Sequence, residues 1–177
     1  KSPFFGIRPL RIEKNQRKTW TKEIYLSFLE VISEDAKCIF EFLWLTGCRP
    51  TELINLKWTD IDFERRKVTF RCGKNAHITR QIKMCDNIGK VLHRVKMKGN
   101  SVFRISDKPL TNETLSHYAR KWLRRLGHYD LVVYGIRHSF ASRMSASGEF
   151  NAFEIKDMMG HSDIKTTLNY IHIDENI

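Results

Sequence analysis

Apolar residues recur at helical spacing over most of the chain. After Thr21, which is a suitable helix N-cap, Ile24, Phe28 and Leu29 fall on one face of a helix. Gly47 stands where a later helix would end. The pattern predicts helices over about 21–33, 34–46, 51–56, 86–96, 111–126, 132–146, 152–159 and 163–170.

The period changes from helical to alternating between the third and fourth predicted helices. Segments 61–63, 68–70 and 78–83 carry alternating apolar residues, and the turn sequences ERRK and GKNAH separate them. This arrangement predicts an antiparallel meander, and a further short strand is predicted at 101–104. The expected class is therefore mixed α+β, mainly α-helical, with a small three-stranded antiparallel sheet.

The charge balance indicates a polyanionic partner. The 177 residues include 31 Lys and Arg against 20 Asp and Glu, which gives a net charge of +11. A charge of this sign and size favours nucleic acid ahead of an acidic membrane surface. The sequence has no apolar run long enough to cross a bilayer, so no membrane partner is expected.

The N-terminal residues carry few periodic signals. Residues 1–18 are predicted to be the remnant of an interdomain linker, and residues 19–177 a C-terminal domain. Because the sequence begins with Lys, we expect a fragment of a longer protein. The four cysteines form no CxxC pair and follow no secretory signal, which predicts reduced thiols in an intracellular protein. The spacing of Cys72 and His77 matches no zinc pattern, so no metal is expected.

The segment VVYGIRHSFASRM, residues 132–144, predicts a helix that carries an arginine beside the core. Val133, Ile136, Phe140 and Met144 form its apolar face. Arg137 lies next to that face and is expected to be half-buried, which requires an anionic partner. The partner could be a carboxylate within the protein or a phosphate from outside.

The segment TGCRPTELINLKW, residues 46–58, places a second arginine at a helix start. Arg49 lies where backbone N–H groups favour anions, and its guanidinium suits phosphate or carboxylate. Glu52 could orient Arg49 or form an internal ion pair with either arginine. Lys74, at a predicted hairpin tip, is an ordinary solvated lysine unless a phosphate lies within its reach.

The last predicted helix carries a tyrosine off its apolar stripe. Ile164, Leu168 and Ile171 form the stripe that is expected to pack. Tyr170 follows Ile164 by six positions, which at about 100° per residue turns it away from that stripe. His161 precedes the helix.

The blocks TGCRPTEL, IRHSFAS and MMGHSDIKTTLNYIH occur in the order and spacing of one family. Over roughly residues 19–175 the sequence resembles the catalytic domain of the tyrosine recombinases, the phage integrase family. The resemblance implies that family's helical catalytic core and an enzyme that cleaves and rejoins DNA through a 3′-phosphotyrosyl intermediate. It implies no metal, because two arginines, a lysine and a histidine supply the positive charge, and no nucleotide cofactor, because the covalent link conserves the phosphodiester energy.

The resemblance also assigns roles residue by residue. Tyr170 matches the nucleophile. Arg49 and Arg137 match the two arginines that bind the non-bridging phosphate oxygens. Lys74 matches the lysine that protonates the leaving 5′-oxygen, and His161 matches a position that hydrogen-bonds the phosphate.

One position departs from the family pattern. Tyr134 stands where the family most often has histidine, and tyrosine is a poor base at neutral pH. We therefore expect Tyr134 to have a structural or phosphate-binding role, with water or another group as the base. His138 is the other candidate proton carrier, although a packing role is favoured for it. Glu52 matches an acidic position that supports the site.

The resemblance further implies the partners and the cellular setting. Double-stranded DNA is the expected substrate, and the full-length protein is expected to act as a tetramer on two DNA sites, with this fragment monomeric. A cytoplasmic, nucleoid-associated protein of prokaryotic or phage origin is expected. Two alternatives stay open at this point. One is a non-catalytic basic DNA-binding module derived from a recombinase, and the other is an activity like that of type IB topoisomerases.

Overall fold

The computed structural model describes residues 18–72, 78–161 and 163–171; at positions 72, 78, 79, 166 and 169–171 it describes the backbone alone. The described residues confirm a mainly helical chain with a small three-stranded antiparallel sheet. The helices are α1 (Lys22–Val31), α2 (Glu34–Thr46), α3 (Pro50–Ile54), α4 (Asp86–Arg94), α5 (Asn112–Arg125), α6 (Tyr134–Ala146), α7 (Ala152–Met159) and α8 (Ile164–Ile171). The strands are β1 (Ile61–Asp62), β2 (Lys67–Cys72), β3 (Ile78–Lys83), β4 (Arg104–Ile105) and β5 (Lys108–Pro109).

The first two helices have the caps that the sequence predicts. The Thr21 side chain accepts a hydrogen bond from the N–H of Ile24 at the start of α1. At the end of α2, Gly47 is left-handed with φ 57°, and its N–H bonds to the Leu43 carbonyl. A Cβ at Gly47 would lie 2.4 Å from Cδ1 of Phe140. Glycine is therefore required by the backbone conformation and also by the close approach of α6.

The three-stranded sheet has the order β1-β2-β3, with both pairs antiparallel. Its register places Val68 opposite Ile82 and Phe70 opposite Arg80. Val68 and Phe70 are fully buried, so the face that carries them packs against the core. Lys74 lies outside the described residues.

The strand predicted at 101–104 is wrong in its position. Ser101 makes a single bridge to Lys57, and the regular pairing occurs between β4 and β5 instead. The turn that joins them has positive φ at both Ser106 and Asp107 (51° and 63°), as a type I′ hairpin turn requires. The apolar residues that suggested the strand, Val102 and Phe103, are buried in the core outside any strand.

Four predicted helix boundaries extend two residues too far. Helix α1 ends at Val31, because Ile32 is extended. At the other three boundaries the chain forms a tight turn. Helix α3 ends at Ile54, α4 ends at Arg94, and α6 begins at Tyr134. At each of these boundaries a backbone N–H bonds to the carbonyl three residues back, as the N–H groups of Leu56 and Val95 do. Apolar spacing does not distinguish such a tight turn from a turn of α-helix.

The core consists of a large cluster and a small one. In the large cluster the ring of Phe28 lies between Trp20 and Phe40, with centroid distances of 4.9 and 4.7 Å. The small cluster includes Phe140 and Met159 and joins α6 to α7, which brings the last turn of α7 close to the middle of α6. None of the helices in the described part of the chain is long and apolar enough to cross a membrane.

Candidate active site

Three arginines from three different elements meet at the last turn of α7. The carbonyls of residues 158, 159 and 160 accept hydrogen bonds from Arg80 (2.7 Å), Arg137 and Arg49 (2.7 Å), respectively. The last carbonyls of a helix lack partners within it and carry partial negative charge, so they suit guanidinium donors. Gly160 ends α7 in the left-handed conformation, and His161 follows directly. We call Arg49, Arg80 and Arg137 the arginine cluster.

Arg137 is more deeply buried than its position beside the apolar face of α6 predicts. It is 2% exposed, not half-buried. Its Nη1 donates to the carbonyl of Gly47 at 2.7 Å, and its Nη2 donates to that of Met159. Among the described residues these two nitrogens bond to backbone carbonyls and not to the internal carboxylate that was one of the two expected partners, while the external phosphate stays a prediction. Burial, followed by the positive charge of Arg49, lowers the pKa of Arg137.

Arg49 and Arg80 share one buried carboxylate. The Oε1 atom of Glu52 accepts from Arg49 Nη1 at 2.9 Å, and its Oε2 accepts from Arg80 Nη2 at 2.8 Å. The same Oε2 also accepts from the backbone N–H of Arg49 at 2.7 Å, so Glu52 caps the start of α3. Arg49 Nη1 and its carboxylate partner form the internal ion pair that the sequence left open.

Arg80 is a member of the site that the sequence analysis missed. Its side chain is 10% exposed, and its guanidinium lies over the ring of Phe70 at 4.5 Å. The signal was present in β3, where Arg80 shares a strand face with Ile82. A charged residue at an inward position of a strand requires a buried partner, and Glu52 provides it.

The arginine cluster has an excess of positive charge. In this described part of the site the cluster has three guanidinium groups and one buried carboxylate, that of Glu52, which pairs with Arg49 and Arg80. Arg49 has a side chain that is 32% exposed, so the cluster reaches the surface on that side. Such an arrangement favours an incoming anion, and the planar fork of Arg49 matches a phosphate or a carboxylate.

His161 is buried next to the arginine cluster and is held by α8. Its Nδ1 lies 2.9 Å from Oγ1 of Thr167, a residue with no exposed surface. Burial, and then the charges of Arg137 and Arg49, lower the pKa of His161 to about 4. The imidazole is therefore neutral at pH 7 and can donate one hydrogen bond but adds no charge.

The packing predicted for α8 is wrong at one position. Leu168 is 36% exposed, whereas Thr167 is completely buried, so the helix is rotated from the expected orientation. Thr167 is buried because its hydroxyl group has a polar partner in His161. The spacing of apolar residues cannot predict the burial of such a polar pair. Tyr170 lies in the last turn of α8, and its side chain is outside the described part of the structure.

Tyr134 and His138 form a pair on the first turns of α6. Their rings meet edge to face, with centroids 5.0 Å apart. Tyr134 is 38% exposed at the helix N-terminus, whereas His138 is buried. Tyr134 is thus open to an external ligand, one turn of helix away from Arg137.

The described residues offer neither a metal site nor a reactive thiol at this place. No group of three or more His, Cys, Asp or Glu side chains is arranged to hold a metal ion within the described ranges. Cys48 directly precedes Arg49 but is buried, and burial raises its pKa to about 12. A thiol with this pKa stays protonated and is a poor nucleophile.

The structure therefore brings together four residues that the sequence singled out for chemistry, namely Arg49, Glu52, Arg137 and His161. Tyr134 and His138 lie on the same helix as Arg137. The positions of Lys74 and of the Tyr170 side chain lie outside the described residues.

Comparison with known proteins gives a consistent family. Residues 18–176 match the profile of the Phage integrase family. Over 178 residues the chain is 29% identical to tyrosine recombinase XerA of Thermococcus onnurineus, covering 94% of this chain and 62% of that protein. It is 31% identical to tyrosine recombinase XerC of Roseiflexus castenholzii, covering 77% of this chain and 47% of that protein. The chain thus spans about half to three fifths of the length of these relatives.

Solved structures show the same fold. The crystal structure of XerA recombinase aligns with a TM-score of 0.75 at 22% identity, over 95% of this chain and 63% of that one. A structure of the Tn1549 transposon integrase in complex with a circular intermediate DNA aligns with a TM-score of 0.79, also at 22% identity, over 91% and 63%.

Proposed function

Because the chain belongs to the phage integrase family, we propose that it is the catalytic domain of a site-specific DNA recombinase. In this proposal residues 19–177 form the catalytic domain and residues 1–18 belong to a linker from a further DNA-binding domain. The names of the relatives, tyrosine recombinases, support this activity, as does the DNA in the complex of the transposon integrase.

The convergence of Arg49, Arg137 and His161 at the end of α7 carries the proposal. In it, Arg49 and Arg137 bind the non-bridging oxygens of the scissile phosphate, and neutral His161 donates a hydrogen bond to the same group. Fixed donors aimed at developing charge are the main means of catalysis in phosphoryl transfer. Arg80 and Glu52 hold Arg49 in place.

In this proposal the reaction exchanges one phosphoester bond for another. The Tyr170 oxygen attacks phosphorus, the bond from phosphorus to the 5′-oxygen breaks, and Lys74 gives the leaving oxygen a proton. A 5′-hydroxyl from the partner strand later reverses the step. An ordinary tyrosine has a pKa of about 10, so a base must take the Tyr170 proton. In this proposal water is that base, and Tyr134 binds the phosphate through its hydroxyl.

Duplex DNA is the proposed partner of the domain. The net charge of +11 supports this, since binding to the phosphate backbone releases counterions. The full-length protein would act as a tetramer on two DNA sites. These sites would lie in the genome of a prokaryotic cell or a phage. The isolated domain would be monomeric.

The test is covalent capture of DNA. A pool of nicked duplexes of randomised sequence is incubated with the chain, denatured in detergent, and analysed for protein-linked DNA. We expect an adduct with wild type and none with Tyr170→Phe, and sequencing of the linked DNA then gives the preferred site. Binding without an adduct would instead indicate a non-catalytic module. Relaxation of supercoiled plasmid without joining to a partner duplex would indicate a topoisomerase.

A further inference from the structure

Thr167 lies at a junction that the proposed mechanism leaves unassigned. It is in α8, one turn before Tyr170, and α8 packs against both α6 and α7. Its side chain is completely buried, and its Oγ1 contacts Nδ1 of His161 at 2.9 Å. The contact connects the helix of the proposed nucleophile directly to a proposed phosphate ligand.

The direction of this hydrogen bond can be inferred because a buried hydroxyl group requires an acceptor for its proton. Other helical hydroxyls in this chain, such as those of Thr46 and Ser139, donate to the carbonyl four residues back. Within the described residues, the hydroxyl of Thr167 has His161 Nδ1 as its hydrogen-bond partner. If Nδ1 carried a proton and donated it, the buried Thr167 O–H would be left without an acceptor, which is costly.

The opposite direction satisfies both groups. When Thr167 donates, Nδ1 is the acceptor, and the single proton of the neutral imidazole lies on Nε2. We propose that Thr167 is a positioning residue that donates its hydroxyl proton to Nδ1 of His161 and so keeps Nε2–H as the donor to a phosphate oxygen. This inference rests on the proposed function for the role of His161, but the tautomer itself does not depend on DNA.

The tautomer is tested with two matched variants. Thr167→Val keeps the shape of the side chain and removes the hydroxyl, whereas Thr167→Ser keeps the hydroxyl. Long-range proton–nitrogen NMR spectra of the labelled chain at pH 7 report the tautomer of each histidine, and His161→Asn identifies the His161 signals. We expect Nε2–H in wild type and Thr167→Ser, and a mixture of tautomers in Thr167→Val.

The catalytic consequence is measured with the DNA captured by the wild-type chain. Adduct formation is expected to slow at least about tenfold in Thr167→Val and to stay within about threefold of wild type in Thr167→Ser, since small misplacements of a catalytic group are costly. An Nδ1–H form in wild type, or an unchanged rate in Thr167→Val, would overturn the inference. If wild type forms no adduct, the proposed function fails, and the tautomer spectra still decide the direction of the hydrogen bond.

Discussion

The end of α7 and helix α8 are neighbours along the chain, but they are held in different ways. At the end of α7, three consecutive carbonyls each accept a hydrogen bond from a different arginine, and Glu52 ties two of those arginines together. Helix α8 contacts the same region through packing and through the Thr167–His161 hydrogen bond. The first region is a network of charges, and the second depends on neutral groups.

This difference separates two tasks of the proposed site. The arginine cluster fixes the charges that would bind a phosphate, and it does so before any ligand arrives. The position of Tyr170 depends instead on how α8 sits against that cluster, with His161 between them. Substitutions in the cluster should therefore affect both stability and catalysis, whereas substitutions in α8 should mainly affect catalysis.

Removal of the carboxylate from the cluster should have the largest effect. Glu52→Gln leaves Arg80 and Arg49 without their shared negative charge, and we expect the free energy of unfolding to fall by about 3–5 kcal/mol. Urea denaturation measures this quantity. Asp62→Asn is the matched control, because Asp62 pairs with exposed Arg65 at 3.9 Å and should cost less than about 1 kcal/mol. Equal losses in the two variants would show that Glu52 is not central.

Arg137→Lys should slow DNA cleavage with the charge preserved. An ammonium group cannot reproduce the planar fork that reaches both the Gly47 and Met159 carbonyls. We expect adduct formation to slow about a hundredfold, or roughly 3 kcal/mol of barrier, as for the loss of one fixed donor. Arg143→Lys is the control on the same helix, since Arg143 bonds to the Trp44 carbonyl away from the site. Similar rates in both variants would contradict the role of Arg137.

The buried neutral His161 predicts a pH-dependent stability. Its pKa is lowered to about 4 in the folded chain, against about 6.5 when unfolded, so the unfolded state binds more protons between these values. This contribution to stability is complete above pH 6.5 and is lost as the pH falls toward 4. We expect unfolding to become easier by about 2 kcal/mol between pH 7.5 and pH 5. In His161→Gln this part of the dependence should vanish; an unchanged pH profile would show that His161 does not cause it.

Local patterns in the sequence predicted the helices and the three-stranded sheet. Thr21 and Gly47 mark helix ends by their own chemistry, and alternation identifies β2 and β3. The strand predicted at 101–104 was misplaced, because Val102 and Phe103 have side chains that favour strands but are buried in the core outside any strand. The spacing of apolar residues indicates which positions are buried, but it does not indicate which backbone groups form hydrogen bonds with each other.

Within the site, recognisable motifs identified Arg49, Arg137 and His161, and the structure brings them together. Arg80 and Thr167 were missed because their roles depend on partners far along the chain or on a neutral contact. The partner of Arg80, Glu52, is 28 positions away, and a threonine within a helix is ordinarily unremarkable. The pairing of buried polar groups is a property of the tertiary structure, so these two residues could be identified only from the structure.

The central claim is that Tyr170 is the nucleophile of a DNA strand transferase. The most direct measurement is to digest the covalent protein–DNA adduct with protease and nuclease and to identify the modified peptide by mass spectrometry. We expect a nucleotide attached through a 3′-phosphate to the Tyr170 oxygen. Attachment to any other residue, such as Tyr134, would contradict it, as would the absence of an adduct on DNA that the full-length protein recombines.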